Sequence, residues 1–249
     1  MKTIYLHIGY PKTGTTFLQN QIFPCIPSVE FHSKPQDNVI RSHHPWDGIL
    51  RRLFHANPSV WDEMGWSFIE KTIVGKLDNI LFSEENITNL TNDPLLIGHH
   101  INVLADIAKR KGFLIRVIIT VRRQATKLAS SYAQNSHRYS PASQSHFEEK
   151  SLRLIRKNER YYTGRQRGIM LNYNRMYKTI SKFVPEENIL VLPFEMMKCN
   201  LGEFVKKILS FIISDKRDHE KVLPSILDKN LESKNVRSLS SKRWALRSK

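Results

Sequence analysis

A lysine set among glycines and hydroxyl residues, Gly9-Tyr10-Pro11-Lys12-Thr13-Gly14-Thr15-Thr16, is the sharpest chemical pattern in this 249-residue sequence. In a G-x-x-x-x-G frame between a strand and a helix, the chain turns tightly and successive backbone N–H groups converge on an anion at the helix start. The frame departs from the nucleoside-triphosphatase loop. There a Lys follows the second Gly to reach the β- and γ-phosphates, and the next Ser/Thr ligates magnesium. Here Thr15 stands in the Lys position and the lysine, Lys12, lies inside the loop. No short apolar run ends in the Asp that would hold magnesium. The expectation is an anionic ligand gripped by Pro11, Lys12, Thr13, Gly14, Thr15 and Thr16 without a metal.

Two further constellations follow apolar runs. After Ile115–Val121 come Arg122 and Arg123, and eight residues beyond each stands a serine, Ser130 or Ser131. An Arg fork with a hydroxyl is a good phosphate receptor. On a helix starting near Thr126, Leu128, Ala129, Tyr132 and Ala133 share one face, while Thr126, Ser130 and Gln134 share the other. Arg122 at the end of the apolar run and Ser130 one turn into the helix can face one crevice, and Arg123 with Ser131 keeps the same spacing equally well. After Asn79–Ser83 come Glu84 and Glu85, carboxylates at the end of a candidate parallel strand, where such sheets carry their function. Glu84 could instead cap the next helix, or the pair could be ordinary surface charge.

The elements that must position these residues alternate. Candidate strands are Thr3–Ile8, Asn79–Ser83, Ile115–Val121 and Asn188–Pro193, short and apolar as buried parallel strands are. Candidate helices are Val60–Lys76, Ile101–Lys111, Thr126–Asn135, Phe147–Tyr161, Ile169–Phe183 and Gly202–Ile213. The alternation predicts a single-domain α/β protein, a three-layer α/β/α arrangement around a central parallel sheet. A 40% apolar and 25% charged composition excludes a disordered chain. Thirty-nine Lys and Arg against 23 Asp and Glu give a net charge of +16, and 18 Lys and Arg against three Glu fall between Lys109 and Lys182, so an anionic partner is expected. Cys25 and Cys199 are too few for a disulfide framework and read as reduced thiols. With no apolar run of membrane-spanning length and no signal-peptide core, the chain reads as cytoplasmic, without a membrane span.

The stretch Leu6–Gln19 resembles the 5′-phosphosulfate-binding loop of sulfotransferases that use 3′-phosphoadenosine 5′-phosphosulfate, in particular bacterial members whose loop is similar to HIG-x-x-KTGTT-x-x-Q. The segment Arg122–Gln134 is similar to their pattern RRQ-x5-S-x-Y-x-Q. The resemblance implies a P-loop-type fold and sulfuryl transfer to a hydroxyl, or an amine, without a metal, leaving adenosine 3′,5′-bisphosphate. It implies that Arg122 and Ser130 hold the donor's 3′-phosphate. It also implies a Glu or His base after the second strand, and the pattern S-x-E-N puts Glu85 there; Glu84 or a histidine stays open. Tyr173 matches a tyrosine that contacts the adenine in relatives. A C-terminal segment from about residue 230 is expected to close over the donor through Arg237, although the R-K-G-x-x-G-D-W segment of cytosolic animal members is absent.

Among the histidines, His43-His44 and His99-His100 read as loop pairs, and His7 as a hydrogen-bonded core residue. The alternatives are an ATP- and magnesium-dependent kinase, against which Thr15 argues, and a basic nucleic-acid-binding protein, for which no recognised module is present. Nucleic acid is therefore not the expected partner. The acceptor has no readable code; the basic, aromatic stretches 32–66 and 136–167 point to an anionic molecule such as an acidic glycan.

Overall fold

The computed structural model describes residues 2–33, 49–73, 79–90, 94–139, 142–156 and 171–228. Strand β1 (Lys2–His7) is rich in the β-branched and aromatic residues that suit a pleated surface, and all of it but Lys2 is buried. The loop after it leads into α1 (Thr15–Phe17), which continues as a π-turn over Leu18–Ile22 and a 3-10 turn over Phe23–Cys25. Then follow β2 (Glu30–Ser33), α2 (Ile49–Leu53), a π-turn over Trp61–Gly65 and α3 (Trp66–Ile73). The middle of the chain holds β3 (Asn79–Ser83), α4 (Asn86–Leu90), α5 (Pro94–Arg110), β4 (Phe113–Val121), α6 (Gln124–Asn135) and α7 (Gln144–Arg156). The last part holds α8 (Tyr173–Ile180), β5 (Ile189–Pro193), α9 (Phe194–Cys199), α10 (Leu201–Ile212) and α11 (Lys216–Leu227).

All pairings in the five-stranded sheet are parallel, in the order β2-β3-β1-β4-β5. Alternate residues of each strand feed opposite layers, as the pleat requires. Ile4, Leu6, Ile80, Phe82, Val117 and Ile119 pack toward α2, α3, α5 and α8. Tyr5, Leu81, Ile118 and Leu192 pack toward the helical turn after the loop, α10 and α11. The expected α/β architecture, a central parallel sheet covered on both faces, is the observed one. From β1 the chain reaches β3 on one side and β4 on the other, so the carboxyl end of β1 is a topological switch point, where ligands of such sheets sit.

Several sequence expectations shift. The helix expected to begin at Ile101 begins at Pro94, so His99 and His100 lie inside α5 and not in a loop. His100 is buried; it accepts from Trp61 Nε1 at Nδ1 (3.0 Å) and bonds the Ala56 carbonyl through Nε2 (3.1 Å). Burial pushes its pKa down to about 4. Strand β2, α2, α4, α9 and α11 were absent from the sequence expectations. His43, His44 and Arg237, and the C-terminal segment from residue 229, lie outside the described residues.

Candidate active site

The loop between β1 and α1 is stitched to the sheet beneath it. Ile8 and Tyr10 donate backbone N–H groups to Ile118 and Thr120 carbonyls at 3.0 and 3.1 Å, extending the β1–β4 pairing past the strand end. The buried Thr13 hydroxyl donates to the Tyr10 carbonyl and lies 2.7 Å from Thr120 Oγ1. Gly9 must be glycine because a Cβ would fall 2.0 Å from Thr120 Oγ1 and 2.6 Å from His7 Nε2. Lys12 and Gly14 have positive φ, 70° and 86°. Such alternation curls backbone N–H groups toward a common point, the concavity that accepts anions. The N–H groups of the first helical turn after Gly14 have no acceptor within the helix, whose first backward bond is Leu18 N–H to the Gly14 carbonyl, 3.1 Å.

Buried His7 supports this loop from below. Its Nδ1 lies 2.6 Å from Ser83 Oγ and its Nε2 3.4 Å from Thr120 Oγ1. Gln19 Nε2 donates to Ser83 Oγ at 2.8 Å, so β1, β3, β4 and the helical turn share one polar seam. Burial holds the His7 pKa down at about 4, against the opposing pull of the Glu85 carboxylate. A neutral imidazole engaged at both nitrogens is a structural support, in line with its reading as a core residue.

The two glutamates after β3 separate by role. Buried Glu84 accepts the Asn86 N–H at 2.9 Å through Oε1, closing the first turn of α4. Half-buried Glu85 accepts a hydrogen bond from the Thr15 hydroxyl, directly beside the loop. The arginines separate likewise. Arg122, half-buried, donates from Nη1 to the Lys12 carbonyl (3.1 Å) and from Nε to Thr126 Oγ1 (3.2 Å). The Arg123 side chain is exposed, while its backbone N–H donates to Glu195 Oε1 at 3.1 Å. Tyr173 donates its hydroxyl to the Arg122 carbonyl at 2.8 Å and meets the Tyr10 ring edge-on at a 4.8 Å centroid distance. Glu85 thus flanks the loop on one side, and Arg122 with Tyr173 on the other. Pro11 and Lys12 are half-buried, Thr15 is buried and Thr16 is exposed.

Helix α6 begins two residues before the expected Thr126, and Ser130, which the helix sets nearly opposite Tyr132, is buried as well. That serine shares its side with Lys127, which the sequence reading passed over although the i, i+3 spacing to Ser130 sets both on neighbouring helix positions. The Lys127 ammonium lies 4.3 Å from the Tyr10 ring centroid and 5.4 Å from that of Tyr173. Tyr10, also passed over, is fully buried. Burial pushes the Lys127 pKa from 10.5 down to about 7. The unfolded chain therefore binds more protons than the folded one between those two values, so this group makes stability rise from pH 7 toward pH 10.5. At neutral pH the charged form costs several kcal/mol, partly offset by the ring contacts. Lys127→Met accordingly raises Tm at pH 7, by about 5 °C for a net gain of about 2 kcal/mol, and flattens the rise of Tm above pH 7. Calorimetry at pH 7 and pH 9 checks both; an unchanged or lowered Tm at pH 7 contradicts the assignment.

The family model described as Sulfotransferase domain matches residues 3–244. The chain belongs to the sulfotransferase domain family. A crystal structure of a sulfotransferase from Alicyclobacillus acidocaldarius shares its fold at a TM-score of 0.53 and 11% identity, covering 84% of this chain and 79% of that one. A crystal structure of mouse sulfotransferase SULT7A1 complexed with PAP is 17% identical over 92% of this chain and 67% of that one, with a TM-score of 0.42. No curated protein matches the chain. Among the described residues of this sulfotransferase, no helix is long and apolar enough to cross a membrane.

Proposed function

We propose that this sulfotransferase moves a sulfuryl group from 3′-phosphoadenosine 5′-phosphosulfate to a hydroxyl-bearing acceptor. The observation that carries the reading is one loop holding a lysine at positive φ, with an arginine bonded to that lysine's carbonyl on one side and a carboxylate bonded to its threonine on the other. The residues fit the donor: a loop curled by positive φ at Lys12 and Gly14, two cations and a buried serine suit a nucleotide bearing separate 5′ and 3′ anions. When bound, the donor supplies the sulfuryl group and leaves as adenosine 3′,5′-bisphosphate.

Backbone N–H groups of residues 12 to 16 hold the 5′ anion. The Lys12 ammonium neutralises charge that grows on the leaving phosphate oxygen, and such stabilisation is the largest single contribution in reactions of this type. Glu85 accepts the proton of the acceptor hydroxyl as its oxygen bonds to sulfur and the old sulfur–oxygen bond breaks. Arg122 and Ser130 hold the 3′-phosphate, and Tyr173 contacts the adenine. No metal takes part. The whole described chain acts as one catalytic domain. The basic surplus of +16 favours an anionic acceptor, an acidic glycan foremost, and a cytoplasmic setting supplies the donor.

Ligand-dependent melting tests this reading, because a ligand of the native state raises Tm. Adenosine 3′,5′-bisphosphate raises Tm more than adenosine 5′-phosphate, and ATP with magnesium less than either. Arg122→Ala weakens bisphosphate binding about 10- to 100-fold, the cost of losing a charged hydrogen bond, and spares the monophosphate. A larger shift from ATP with magnesium would favour a kinase instead.

A further inference from the structure

We infer that Phe194 is a positioning residue for donor recognition, its ring the platform that holds the Arg122 guanidinium toward the 3′-phosphate. The inference rests on the donor proposed above. In the β4–β5 register Val121 pairs with Pro193, so the next residues, Arg122 and Phe194, leave the sheet side by side. The Arg122 guanidinium carbon lies 4.6 Å from the Phe194 ring centroid, within cation–π range. Its bonds to the Lys12 carbonyl and Thr126 then fix the plane of the fork. A stacked guanidinium has fewer rotamers to lose when it meets a phosphate, so part of the ordering cost is met before binding.

The same short helix also backs the 5′ loop. A Cβ at Gly14 would fall 2.9 Å from Met197 Cε and 3.2 Å from Phe194 Cδ2, so Phe194 and Met197 press on the loop where its φ turns positive. Glu195 adds its bond to the Arg123 N–H. One turn of α9 therefore touches both anion-binding elements, and Phe194 touches both by itself. An aliphatic side chain can back Gly14, but only an aromatic ring attracts the guanidinium. That difference separates stacking from packing.

Calorimetric titration of adenosine 3′,5′-bisphosphate and adenosine 5′-phosphate into wild type, Phe194→Leu, Phe194→Tyr, Arg122→Ala and the Arg122→Ala/Phe194→Leu double variant tests this. Phe194→Leu weakens the bisphosphate about tenfold, the scale of a partly desolvated cation–π contact, and changes the monophosphate little. Phe194→Tyr restores binding, and Phe194→Leu adds no further loss once Arg122 is Ala. Equal losses for both nucleotides, a Tyr variant no better than Leu, or additive losses with Arg122→Ala would each overturn the inference. If wild type does not prefer the bisphosphate, the donor assignment itself falls, and Phe194's role with it. Should Phe194→Leu fail to fold, Phe194→Met carries the same comparison.

Discussion

Glu85→Gln abolishes measurable sulfuryl transfer while leaving the affinity for adenosine 3′,5′-bisphosphate nearly unchanged. The amide is the same shape as the carboxylate, and its oxygen can still accept from the Thr15 hydroxyl, so the loop keeps its contact. What it loses is the ability to take a proton, and a positioned general base contributes about 10²- to 10⁴-fold. Release of bisphosphate with an acidic-glycan acceptor, followed beside nucleotide titration, reads the two effects separately. The rivals are engaged elsewhere: Glu84 closes the turn of α4, and His7, with its pKa near 4, bonds Ser83 and lies near Thr120. Persistence of most of the activity would remove Glu85 from the reaction.

Lys12→Ala lowers turnover by about 10²- to 10³-fold, the usual loss when one transition-state donor is removed. The substitution has a second consequence, because Lys12 holds φ at 70°, where side chains other than Asn and Asp are disfavoured. Lys12→Asn tolerates that conformation and removes only the ammonium, so it should lose as much turnover as alanine while melting at a temperature closer to wild type. Turnover near wild type in Lys12→Asn would show that the ammonium has no part in the chemistry.

The loop was legible because its pattern is local: strand, glycines, lysine and hydroxyls follow one another within a few residues, and the spacing carries the geometry. The sheet was legible for the same reason, since β1, β3, β4 and β5 are short runs with mostly apolar centres. Strand β2 was not, because Glu30-Phe31-His32-Ser33 is four mostly polar residues at the sheet edge, paired on one side only. The start of α5 was missed because two histidines look like a solvated turn until Trp61 and Ala56 supply their buried partner His100 with hydrogen bonds. Lys127 was missed for a related reason: a lysine on a helix ordinarily faces water, and the rings of Tyr10 and Tyr173 that it meets are far apart in sequence. The different partners of Glu84 and Glu85 likewise needed the third dimension. Both follow the strand, but one turns back to its own helix and the other reaches across to Thr15.

The π-turn over Leu18–Ile22 holds one residue more than an ordinary helical turn would. Ahead of it Thr15 faces Glu85; within it Gln19 reaches Ser83 and Ile22 enters the core, and Phe23 follows Ile22 inward just behind it. Because neighbouring residues on an α-helix are about 100° apart in azimuth, a regular helix with one residue fewer could keep the Thr15 end or the apolar end in phase, not both. The surplus residue is a rotary offset, and it lets chemistry and packing share a single cylinder.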